Sequence, residues 1–370
     1  MGVQHSAQLV AESYQPAVFR AFIDKVKPDA VCIERSPQEF ARNDFYEFTY
    51  EQQYLVVPYA RKNKIPLYPI DWLPQAEDTT LAFNIADLEK PLFIRRPEGF
   101  LGFTSFKDKD TLETDLFYAE TEDNIASQKE FANQPAANAR FDFARRLYLY
   151  RTFMQAMRIL RAAKEHQGET VLVIIGSLHK NNIEEILKGE QSLEIIQPST
   201  FGKPAAENIK RNITTADLFA IAAFNFLGIQ AKTGNVDWEW MKNVLEELEK
   251  RAGKTPETIL LKTRLQVLTK KISSQEALNK YKQAFESVDD KKQFSWNGVK
   301  DFSRVDSYFD PFGNLTIKQR LNLEMARENY KLKQTSSAEN IFRQLREQLP
   351  IQKSKQLEAY WEDYVVNEAV

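Results

Sequence analysis

One segment limits the possible folds more than any other. Thr170-Val171-Leu172-Val173-Ile174-Ile175 is apolar on both strand faces and is closed by Gly176. A strand without a polar face must be covered on both sides, which points to an interior strand of a parallel sheet flanked by helices. Ala30-Val31-Cys32-Ile33 has the same character, and Ser36-Pro37-Gln38-Glu39 behind it is a capping box with proline at the first helical position. A third strand is expected in residues 65–70, where two prolines suit an edge or a strand end. A fourth is expected at Leu193-Glu194-Ile195-Ile196. Residues 1–198 therefore predict an α/β domain with a mostly parallel sheet flanked by helices.

Between the strands, residues 72–138 hold no period for long and predict an insertion or lid. Phe143, Leu147, Tyr150, Met154, Met157 and Leu160 recur every three or four residues and predict an amphipathic helix over 141–163. A short helix is expected from Asn182 to Leu187. From residue 199 to 370 the pattern is all-helical: a buried helix near 218–227, amphipathic helices over 237–250 and 256–287, and a helical hairpin over 315–348. Ala326, Ala338, Phe342 and Pro350 fall at the small, aromatic and proline positions of a tetratricopeptide-like unit within 315–350, a surface suited to a protein partner.

Composition narrows the function classes. No stretch offers the roughly 18 uncharged apolar residues of a membrane span. The 50 basic and 52 acidic residues leave a net charge of −2, with no general drive toward nucleic acid. One cysteine, Cys32, excludes an intrachain disulfide and a cysteine-rich zinc module.

The chemistry is concentrated at the predicted strand ends. Of three histidines, two stand in the same setting, Gly2-Val3-Gln4-His5 and Gly176-Ser177-Leu178-His179. With glycine at 12 of 370 positions, a given histidine has glycine three residues earlier about 3% of the time, so two of three is a roughly 0.3% event. Glycine at a strand end permits a tight turn and close backbone approach, and it delivers the next side chains to the crevice above the sheet. Glu34 follows the strand 30–33 and Asp71 follows 65–70, so four strand ends bring His5, Glu34, Asp71 and His179 to one edge. Two imidazoles with one or two carboxylates suit a divalent metal such as Zn, Mn, Fe or Co, and an ion with an open position activates water. Without metal, the same groups can serve as general base and proton shuttle. His166, in Lys-Glu-His-Gln-Gly, is expected at a solvated helix end.

These motifs, with the segment Pro28-Asp29-Ala30-Val31-Cys32-Ile33-Glu34 and an Arg/Met helix before the second Gly-x-x-His, resemble the TraB/GumN family. That family is grouped with Tiki-type metalloproteases, erythromycin-esterase-like hydrolases and ChaN-like haem-binding lipoproteins. The resemblance covers about residues 1–198. It implies that His5, Glu34 and His179 are catalytic and metal-binding, with Asp71 as a further metal ligand. Arg151, with Met154 one turn later, would point into the site, and Gly2 and Gly176 would form the cofactor-binding turns. Two departures are visible: Lys180 stands where the family's second motif continues into glycine, and the Arg/Met helix lacks the full family spacing. The resemblance also places an apolar strand before Gly2, so the start is expected to be truncated or misassigned; the chain as written predicts a cytoplasmic protein, and an upstream signal peptide would make it exported.

Three functions follow as expectations. The first is a metal-dependent hydrolase of a peptide or ester bond, acting on a small-molecule or peptide substrate. The second is a non-catalytic binder of haem or another small ligand, and the third is a helical interaction protein with a degenerate α/β domain.

Overall fold

The computed structural model describes residues 1–43, 49–73, 105–133, 139–228, 230–296 and 315–367. The chain divides into two compact units, Met1–Ile94 with Glu113–Asn212, and Arg95–Leu112 with Ile213–Val370.

The first unit is α/β. Its sheet contains β1 (Gly2–Val3), β2 (Ala30–Ile33), β3 (Leu67–Pro69) and β4 (Val171–Gly176), in the order β1-β4-β2-β3 with every pairing parallel. The doubly apolar strand β4 is interior and the proline-containing β3 is at an edge, where a missing amide donor is tolerated. Gly2 pairs with Ile175 and Ile33 with Ile174, so parallel pairing alone brings the carboxyl ends of all four strands to one side. Cys32, Ile70 and Ile175 pack there with Ala156, Ile159 and Ala162 of the helix Ala139–Glu165. Each large apolar side chain so covered contributes roughly 1.5–3 kcal/mol. Burial pushes the Cys32 thiol up to about 12, so this cysteine acts as a core residue.

Two sequence expectations change. Leu193–Ile196 forms no strand; Ile195 and Ile196 are exposed, and the four-residue pattern finds no neighbour in the sheet. The helix expected from Asn182 begins instead at Ser177 and runs to Leu187, placing His179 in a first helical turn rather than a loop. The expected insertion at 72–138 falls partly outside the described residues; its described part includes the helix Glu122–Asn133.

The second unit is helical apart from one bridge between Gln293 and Thr316. Residues 215–226 form a helix buried from Asp217 onward. The expected helix over 256–287 is two, Pro256–Leu268 and Ser274–Glu286, with Lys270 in the left-handed region between them (φ 55°). Ile317–Lys331 and Thr335–Glu347 form the hairpin, and Ala326 and Ala338 lie in its core with Phe342 packed against them. Among the described residues no helix is long and apolar enough to cross a membrane.

Candidate active site

Glu34 is the hub. It leaves the end of β2, is 4% exposed, and accepts a hydrogen bond from the Gly176 amide at 2.5 Å. Its other contacts are Arg151 Nη2 at 3.0 Å, His5 Nε2 at 3.4 Å and His179 Nε2 at 3.7 Å. Five of the residues singled out in the sequence, His5, Glu34, Asp71, Arg151 and His179, are thus gathered at one sheet edge.

The glycine before each histidine has a steric reason. A Cβ on Gly176 would lie 2.8 Å from His5 Nε2 and 3.2 Å from Glu34 Oε2. On Gly2 it would lie 2.7 Å from the Cβ of Ala119 and 3.2 Å from the backbone of Ser177. Gly176 has φ −51°, so close approach, and not left-handed backbone, is what requires glycine there. The second motif's glycine makes room for the first motif's histidine.

His5 is gripped from behind. Its Nδ1 lies 2.8 Å from Oε1 of Glu51, a residue 0% exposed at the start of the π-helical turn Glu51–Val56. Glu51 Oε2 also accepts from the amide of Ser6, whose φ of 61° places a non-glycine residue in the left-handed region. Burial opposes charge on His5, but Glu51 and Glu34 outweigh it and raise the pKa from 6.5 to about 10. His5 is therefore an imidazolium at neutral pH.

His179 is driven the other way. Burial, assisted by Arg151 and His5 against the pull of Glu34 and Asp71, lowers its pKa to about 4. Its ring stacks on Tyr148 with centroids 4.9 Å apart. Thr152 Oγ1 donates to the Tyr148 carbonyl at 2.9 Å and lies 2.7 Å from His179 Nδ1. A hydroxyl has one proton, so Thr152 must accept from His179, which places the imidazole proton on Nδ1. The lone pair of Nε2 then faces Glu34.

Glu34 itself is held ionised. Burial raises its pKa, but the hydrogen bond and charge of His5, with His179 and Arg151, keep the carboxyl well below the usual range. Asp71 plays a different part. Its oxygens accept from Arg151 Nε and Nη2, both at 2.8 Å, from Gln155 Nε2 at 2.7 Å and from the Trp72 amide at 2.9 Å. So occupied, it orients Arg151 and offers little to an ion. Among the described residues no three His, Cys, Asp or Glu side chains form a group able to hold a metal. His166 bonds Tyr68 and Glu169 at the far end of the long helix.

Glu51, Thr152, Tyr148 and Gln155 were not found from sequence. For Glu51 a signal existed: Glu51-Gln52-Gln53 are polar residues inside an apolar stretch, and all three are buried. Thr152 and Gln155 are ordinary polar positions on a helix.

Comparison with known protein families, curated proteins and solved structures gives no match to this chain.

Proposed function

We propose that the first unit hydrolyses a peptide or ester bond at the His5–Glu34–His179 centre. One observation carries this: two imidazoles on the same carboxylate are pushed to opposite protonation states, the pattern by which an acid and a base are assigned. A water placed between His179 Nε2 and Glu34 Oε1, 3.7 Å apart, donates a hydrogen bond to each. As its oxygen attacks the carbonyl carbon, its proton passes to His179 Nε2, and Glu34 stabilises the imidazolium formed. A base with pKa about 4 is always unprotonated at neutral pH but weak, so fixed charge must supply much of the rate. The His5 imidazolium and Arg151 lie where negative charge on the carbonyl oxygen would be met. His179 then gives its proton to the leaving amine or alcohol. Leu178 and Tyr150, exposed neighbours of His179 and Arg151, favour an apolar group on the substrate.

A divalent metal is the second reading, favoured by two features. The Nε2 lone pair of His179 faces a carboxylate, and Glu51 holds His5 Nδ1 as a carboxylate orients a metal-binding imidazole. An ion would be held by His179 and Glu34, joined by His5 once its Nε2 proton is lost, and would supply an activated water.

The test is hydrolysis of a panel of chromogenic esters and peptides by purified protein before and after chelation. Replacing His179 by Gln is expected to lower kcat/KM by about 10²–10⁴. Activity that survives chelation supports the acid–base account. Loss restored by Mn, Co, Zn or Fe supports the metal. No turnover, together with a Soret band on haem titration, would replace both by a binding function.

A further inference from the structure

We propose that the second unit carries a binding pocket for a small phosphate-bearing anion, built where three helices end. The pocket, of about 290 Å³, is lined by Lys232, Arg264, Lys270, Arg327 and Lys331, with the Tyr360 ring beside them. None of the described lining residues is acidic. The volume is at the lower end for small-molecule sites.

The two arginines are built in. Arg264 is 9% exposed and donates from Nε to the Phe226 carbonyl at 3.2 Å. Arg327 is 3% exposed; it donates to Glu324 at 3.0 Å, and its guanidinium carbon lies 5.4 Å from the centre of the Tyr360 ring. Lys331 pairs with Glu328 at 3.2 Å.

A structural duty explains part of this charge. The helices Thr215–Phe226, Pro256–Leu268 and Ile317–Lys331 all end at the pocket, and their carbonyl ends attract cations. Arg320 meets one of them, donating to the Leu227 carbonyl at 2.9 Å. The balance still does not close. Three helix ends at roughly half a charge each, with the carboxylates of Glu324 and Glu328, leave about two to three of the six local positive charges uncompensated. The pKa of Lys331 reflects this: burial lowers it, and Arg264 and Arg327 lower it further against the pull of Glu328.

A surplus of that size, partly desolvated, favours a ligand with at least two negative charges. Guanidinium pairs match the tetrahedral face of phosphate. Val267, Leu268 and Tyr360 give one side of the pocket an apolar surface, which suits an organic phosphate ester over a bare ion.

Isothermal titration calorimetry on the full chain tests this, with pyrophosphate and a nucleoside triphosphate as probes and acetate as the monovalent control. One saturable site for both phosphates is expected, stronger for the organic one and weakened by added salt. The double variant Lys232→Glu/Lys270→Glu, at two exposed positions, should keep the wild-type melting temperature and lose at least about tenfold in affinity, or 1.4 kcal/mol. Absence of saturable binding, binding of acetate with equal strength, or binding unchanged in the variant would overturn the proposal. Since none of these residues belongs to the first unit, ester and peptide hydrolysis should be unaffected.

Discussion

The first and second units both bury carboxylates among cations, with different results. In the second, Glu324 is 0% exposed and is met by Arg320 at 3.0 Å, Arg327 at 3.0 Å and Arg264 at 3.7 Å. Burial would raise its pKa, but the arginines hold it well below the usual carboxylate range. Nothing in that cluster is left to exchange a proton near neutrality. In the first unit, Glu34 is as deeply placed, yet it is shared with one imidazole held charged and another held neutral. His5 and Arg151 also remain 21% and 26% exposed at the side chain. A buried ionic cluster becomes chemically useful when one member is kept in a different protonation state from its neighbour and solvent can reach it. A cluster closed on arginine is a fastening.

Breaking each hub should separate the two roles. Glu324→Leu strands three arginines and is expected to destabilise the protein by about 3–5 kcal/mol in denaturant unfolding. Glu34→Gln leaves His5 on Glu51 and Arg151 on Asp71, so a smaller loss of about 1–3 kcal/mol is expected, with kcat/KM down by about 10²–10⁴. Equal destabilisation by both changes, with hydrolysis retained in Glu34→Gln, would erase the distinction.

Gly176→Ala sharpens it. The added methyl falls 2.8 Å from His5 Nε2, so His5 must move, and a loss of about 100-fold in kcat/KM is expected with stability changed by about 1–3 kcal/mol. Thr152→Val, which removes the acceptor that fixes the His179 tautomer, should lower kcat/KM by about tenfold.

The smallest effect is in pH-dependent stability. His5 has a raised folded pKa, so its contribution is complete below about 6.5 and is lost as pH rises toward 10. His179 has a lowered one, so stability falls as pH drops from about 6.5 through 4. Melting temperature against pH should lose part of its alkaline limb in His5→Gln and part of its acid limb in His179→Gln.

Much of the first unit was legible because its signals are local. Runs without a polar face give interior parallel strands, and parallel pairing carries the residues after each strand to one edge. That logic placed His5, Glu34, Asp71 and His179 together. It missed Glu51, whose role depends on a chain segment returning behind β1, and it gave Leu193–Ile196 a strand that needs a pairing partner no local pattern reveals. The cluster around Glu324 was illegible for a related reason. Arg320, Glu324, Arg327 and Lys331 are spaced at three and four residues, as on any solvated helix face, and only packing by other helices shows that the first three are buried.

The most direct test is nitrogen-15 NMR of the imidazole rings, which three histidines keep simple to assign. The account predicts His5 protonated at pH 7 and titrating near 10, and His179 neutral, protonated at Nδ1 and titrating near 4. Two rings titrating together near 6.5, or a His179 proton on Nε2, would contradict it.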